Sequence, residues 1–133
     1  MGQQQLLLII LGVIIVGIAI AVGLSLFSAQ SIQSNRDAII NDLNNLAAQA
    51  YQHRIRPGSM AGGNGKYDNS GGGNAFVIPS KMSTNENATY TAAVNADNIV
   101  ITAKSAQDVS NTVVVTIDTN GKLGTWSYGG AFQ

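Results

Sequence analysis

The chain has 133 residues, with seven basic and seven acidic side chains, no formal net charge and no cysteine. That is enough for one small domain and one extra element, and it excludes disulfides and thiolate chemistry. The few charges form neither a basic patch for nucleic acid nor an acidic tail; polarity comes from Asn, Gln, Ser, Thr and abundant Gly.

The first element is apolar. Behind the uncharged tip "MGQQQ", residues 6–24 read "LLLIILGVIIVGIAIAVGL" without a charge, hydroxyl or amide. As a helix this run is roughly 28 Å long, the thickness of a bilayer's hydrocarbon core. Being apolar on all sides, it requires lipid or other protein around it. It lacks the basic n-region and cleavage site of a secretory signal peptide. The first charge, Arg36, lies beyond it, on the wrong side for a signal-anchor oriented by cytoplasmic Lys or Arg. The expectation is that a short basic leader preceded Met1 and was removed.

Residues 25–56 continue the helix in amphipathic form. Ile32, Ile39, Leu43, Leu46 and Ala50 recur at helical spacing. Gln33, Arg36, Asp37, Asn41, Asp42, Asn44, Asn45 and Gln49 are assigned to the opposite, solvated face. Pro57 and Gly58 stop the helix, which therefore runs about 50 residues. Residues 57–74, "PGSMAGGNGKYDNSGGGN", read as a flexible loop; "GGNGK" lacks the phosphate-loop spacing and the Ser or Thr after Lys66.

Residues 75–133 form a β domain. "NAFVIPS" reads as a short edge strand or extended piece ending at Pro79. Strands follow over Ala88–Val94, Ile99–Ser105 and Thr112–Asp118, and the turn Thr119–Gly121 leads into "KLGTWSY", which makes an antiparallel meander. The fold class is thus α+β: a long N-terminal α-helix with a small antiparallel sheet packed on its C-terminal half.

Chemistry-bearing residues are sparse. His53 is the sole histidine, flanked by Arg54 and Arg56, with no partner at metal spacing and nothing to position it in a hydrolase triad. Asp68 and Asp118 read as turn residues, and Glu86 has no carboxylate nearby. The expectation is no enzyme, no metal and no cofactor. Asn87-Ala88-Thr89 satisfies the N-glycosylation pattern. Trp126 and Tyr128 alternate on the last strand and share one face of the sheet, as core or subunit interface.

The N-terminal third resembles the type IV pilin family; the rest resembles it only in layout. Met1 stands where mature pilins begin, Leu6 and Leu7 follow the fifth position, and the apolar helix continues. Two positions depart: Gln5 stands where the family has Glu, and Val22 and Gly23 where it has a proline. The resemblance implies leader removal by a prepilin peptidase through a class III-type signal, with N-methylation at Met1. It also implies residence in the cytoplasmic membrane, then assembly by pilus machinery into an extracellular homopolymer for adhesion or motility. Gln3, Gln4 and Gln5 become a neutral polar lock for register in the filament core. Gly17 with Ala21, and Ala19 with Gly23, are small-xxx-small pairs suited to close helix packing. Without the proline, the helix is expected to be continuous, or only locally loosened, through residues 14–24 in the polymer. Two other readings compete: a minor pseudopilin of a type II secretion-like machine, and a monomeric membrane-anchored binding module.

Overall fold

A computed structural model describes residues 2–133. The expectations for Met1, processing and methylation, lie outside the described residues. The element order is α1 (Gly2–Ile55), α2 (Ser80–Ser83), then β1 (Ala88–Val94), β2 (Ile99–Ser105), β3 (Thr112–Ile117) and β4 (Leu123–Gly129). Single 3₁₀ turns occur at Gly58–Met60, Asn69–Gly71 and Gly130–Phe132. The chain divides into two compact units, residues 1–34 and 35–133.

α1 is one unbroken α-helix of 54 residues, residues 14–24 included. Gly17 and Gly23 each weaken a helix by roughly 1 kcal/mol, a cost the long aliphatic run around them tolerates. In the first unit every described residue up to Gln30 is exposed.

The second unit is built on the remainder of α1. Its buried positions are Asn35, Ile39, Leu43, Leu46, Ala47 and Ala50: four of the five positions the helical period predicts, with Asn35 and Ala47 added, whereas Ile32 is only half-buried. The sheet packed against this stripe has the order β1-β2-β3-β4, all antiparallel. Its inward set is Ala88 and Tyr90, then Ile99, Ile101 and Ala103, then Val113, Val115 and Ile117, all buried. β2 and β3 alternate buried and part-exposed positions, as a half-covered sheet requires.

β3 and β4 lose register between Val114 and Thr116. Thr125 sits there with φ 53°, a left-handed conformation rare for a β-branched residue. The extra residue of this bulge reverses the side-chain parity of β4. Leu123 lies opposite Ile117 and Tyr128 opposite Val113, so both ends of β4 point to the helix side.

Of the two readings of "NAFVIPS", the extended piece is the one found: Phe76 is buried and its N–H donates to the Tyr67 carbonyl, while Pro79 caps α2. One region differs from the sequence reading. The glycine tract is an ordered cap on α1, where a plain flexible loop was expected. The N–H groups of Gly63, Gly65 and Asn64 donate to the carbonyls of His53, Arg54 and Arg56 at 2.7, 2.7 and 3.0 Å. These are carbonyls that a helix end leaves without intrahelical partners. The approach is close enough to exclude a side chain: a Cβ on Gly63 would lie 1.9 Å from the Lys66 carbonyl oxygen, and one on Gly62 2.3 Å from that of Arg56. Gly63→Ala is therefore expected to destabilise the second unit by on the order of 3 kcal/mol. Gly124→Ala, where a Cβ meets open space, should leave the thermal midpoint nearly unchanged. Equal midpoints for the two variants would show that the cap does not stabilise the fold.

Candidate assembly surface

The first unit is a surface rather than a cavity. Leu6, Leu7, Ile14, Ile18 and Leu24 each expose more than half of their area, and the polar tip Gln3, Gln4, Gln5 is exposed too. Such an aliphatic surface is far beyond the apolar patches of ordinary monomers, and the helix is long and apolar enough to cross a membrane. Around Gly12, Gly17 and Gly23 nothing lies within 4 Å of where a Cβ would stand. At about 100° per residue, Gly17 and Ala21 fall on one side of the helix, and Ala19 and Gly23 on the other. Small residues on two sides let two neighbouring helices approach closely. Ile9, Gly12, Val13, Val16, Gly17 and Ile20 share one shallow, open apolar face. Gly12, absent from the small-residue pairs read in the sequence, contributes to it. Its neighbours at four-residue spacing, Leu8 and Val16, are large, which hides it from that pattern.

In the second unit, α1 holds its sheet with three polar residues at heptad spacing. Asn35 Nδ2 donates to the Asn87 carbonyl at 3.1 Å, and Ser105 Oγ donates to Asn35 Oδ1 at 2.5 Å. Asp42 Oδ2 accepts from Asn85 Nδ2, Asn87 Nδ2 and Tyr90 OH at 3.0, 3.0 and 2.6 Å. Gln49 Nε2 donates to Met82 Sδ at 3.2 Å. Asp42 and Gln49 were assigned to the solvated face; the structure corrects this, since both meet the segment before β1 or β1 itself. Arg36, also assigned there, lies with its guanidinium carbon 4.2 Å from the Tyr128 ring centroid. Asn87 fits the glycosylation triplet, but it is half-buried, and the nitrogen a glycan would take is the one that donates to Asp42.

The Asp42 carboxyl titrates below its ordinary range. Burial pushes it up, but the hydrogen bonds from Tyr90, Asn87 and Asn85 together outweigh burial. Tyr90 moves the other way, held protonated by burial and by the Asp42 charge it donates to. A carboxyl depressed in the folded state contributes stability above its unfolded value, 3.8, and loses it as pH falls through the folded value. The expected result is that the second unit loses stability below about pH 4, with a smaller pH slope in Asp42→Asn. Identical slopes by thermal denaturation from pH 7 to pH 3 would remove Asp42 from the acid response.

The remaining candidates fall in place as turn or cap residues. Asp68 Oδ1 accepts from the Ser70 N–H and hydroxyl, and Asp118 Oδ1 from the N–H groups of Asn120 and Lys122. His53 Nε2 lies 2.6 Å from the Asn74 carbonyl, its ring edge-on to Phe76. Among the described residues no group of three or more His, Asp or Glu is placed to hold a metal. Compared with family models, curated proteins and solved structures, the chain matches none of them.

Proposed function

We propose that the chain is a structural subunit of a type IV pilus-like helical filament, resident in a membrane before assembly and polymerising through the first half of α1. The observation that carries this reading is the exposed aliphatic helix of the first unit with its open glycine positions on two sides. In lipid this surface is satisfied by acyl chains. In a polymer the same surface is satisfied by neighbouring helices, which are equally apolar, so transfer between the two costs little hydrophobic energy. If one side of the helix meets the other side of its neighbour, the contact is heterologous, and heterologous contacts that do not close generate a filament.

The resemblance of Met1, Leu6 and Leu7 to the pilin pattern supports the same reading. In this reading Gln3, Gln4 and Gln5 are the polar groups that fix axial register in the core. A neutral amide needs only a hydrogen-bond partner there, whereas an unpaired carboxylate costs far more to bury. The sheet side of the molecule then forms the outer surface, and adhesion or motility is a property of that surface.

Shearing and sedimentation test the reading. The chain is expected in a sheared, sedimentable, detergent-dissociable fraction from the cell surface. Recovery solely as a detergent-extracted monomer would favour the membrane-anchored binding module; recovery solely in short polymers inside the envelope would favour the pseudopilin.

A further inference from the structure

The second unit holds the tripeptide Asn-Gly-Lys twice, as Asn64-Gly65-Lys66 and Asn120-Gly121-Lys122. In an Asn-Gly pair the glycine nitrogen can attack the preceding side-chain amide, because no Cβ hinders the approach. The local sequence is the same at both places, and both asparagines are exposed. Any difference in reactivity between them is therefore set by the fold.

At the first pair both reacting groups are tied down. Asn64 Nδ2, which would leave, donates to the Gly71 carbonyl at 2.8 Å. The Gly65 N–H, which would attack, donates to the Arg54 carbonyl at 2.7 Å, and the Asn64 N–H to that of Arg56 at 3.0 Å. Turning the two groups toward each other breaks the cap on α1. At the second pair Asn120 is held through its backbone N–H, by Asp118 Oδ1 at 2.9 Å; its side-chain amide has no hydrogen-bond partner among the described residues. The Gly121 N–H closes the turn on the Asp118 carbonyl at 3.1 Å, and opening that one bond frees the attacking nitrogen. Opening costs range from near zero at exposed turns to the full unfolding free energy in packed structure. Nor can the turn dispense with its glycine: Gly121 has φ 76°, and a Cβ there would lie 2.7 Å from Tyr51 Cβ.

We propose that Asn120 is a self-modification site, which converts to aspartate and isoaspartate in the folded chain while Asn64 is protected. Solvent base takes the Gly121 N–H proton, and the nitrogen bonds to Asn120 Cγ. The Cγ–Nδ2 bond breaks, and Nδ2 leaves as ammonia with a proton from water. Water then opens the succinimide. Attack at the Cγ carbonyl gives aspartate; attack at the backbone carbonyl gives isoaspartate, with the chain rerouted through Cγ. The net change is loss of ammonia and gain of water, with nothing oxidised or reduced. The product places a second carboxylate beside Asp118 and, as isoaspartate, an extra methylene in the backbone of the β3–β4 turn. That turn holds the end of α1 and the glycine tract, since its Thr119 and Asp118 carbonyls accept from Arg54 Nη1 and Tyr67 OH.

The test is incubation of the full chain in detergent at mildly alkaline pH, folded or with the second unit unfolded in urea. Peptide mass mapping that separates aspartate from isoaspartate follows both tripeptides. Asn120 is expected to convert several-fold faster than Asn64 in the folded chain, and the two rates to converge in urea. Asn120→Gln should remove nearly all isoaspartate from the folded chain. Asn64 converting as fast as Asn120 in the folded chain overturns the assignment. So does a folded chain in which neither converts while both convert in urea, or isoaspartate that persists in Asn120→Gln. Asn120 leading by the same factor in urea overturns the fold as the cause.

Discussion

Val16→Asp is expected to abolish the filament. Val16 is more than half exposed on the helix of the first unit, and its backbone lies near the middle of the run from Leu6 to Leu24. An aspartate at the centre of a membrane helix costs about 2.5–3.5 kcal/mol on insertion. In a packed aliphatic core the same carboxylate meets no donor, so the cost is at least comparable. The penalty repeats in every subunit of the polymer, so an effect modest for one monomer becomes decisive for assembly. Thr89→Asp, on the exposed side of β1, is the control; a surface change of that type stays within about 0.5 kcal/mol. Sheared, sedimentable material is expected from Thr89→Asp and not from Val16→Asp. Wild-type yields from both would mean that this helix surface is not what the polymer buries.

The second large effect concerns the other unit. Leu43 is fully buried, as are Leu46, Ile101 and Val115. Truncation of a buried leucine to alanine costs about 2–5 kcal/mol, the spread reflecting how far the site collapses. For a unit of this size each kcal/mol shifts the midpoint by about 4–8 °C. Leu43→Ala in the full chain should therefore lower the thermal midpoint of the sheet by at least about 8 °C. Near-ultraviolet circular dichroism, which here reports on Trp126 and the tyrosines, follows that transition. The described residues of the first unit up to Gln30 are exposed, so far-ultraviolet helix signal should persist after the sheet has melted. A single transition that removes both signals together would show that the two units depend on each other.

What could be read from the sequence follows from which interactions are local. The apolar run, the stripe Ile39, Leu43, Leu46 and Ala50, and the strands β1 to β3 are periodic patterns within a few residues, and the structure carries all of them. Asn35 and Asp42 were not legible as packing residues, because a polar residue on a helix reads as solvated until its partner is known. Their partners are 52 and 48 residues away for the Asn35–Asn87 and Asp42–Tyr90 bonds. The glycine tract misled for a related reason. Breaker residues signal the absence of regular structure, yet Gly62, Gly63 and Gly73 are glycine because backbone passes within a side chain's reach. Thr125 gave no sign at all: a threonine among strand residues predicts extended backbone, and only the lost register between β3 and β4 exposes the bulge. The small residues of the first unit's open apolar face were legible in part, through Gly17, but not through Gly12.

The central claim is that the helix from Leu6 to Leu24 is the core of a polymer. Helical reconstruction by cryo-electron microscopy of filaments sheared from the cell surface tests it most directly. The account predicts continuous helical density for Gly2–Ile55, with residues 6–24 packed against their copies at the axis and the four-stranded sheets outside. Filaments built of other chains, or this chain in a filament with residues 6–24 outside the core, would contradict it.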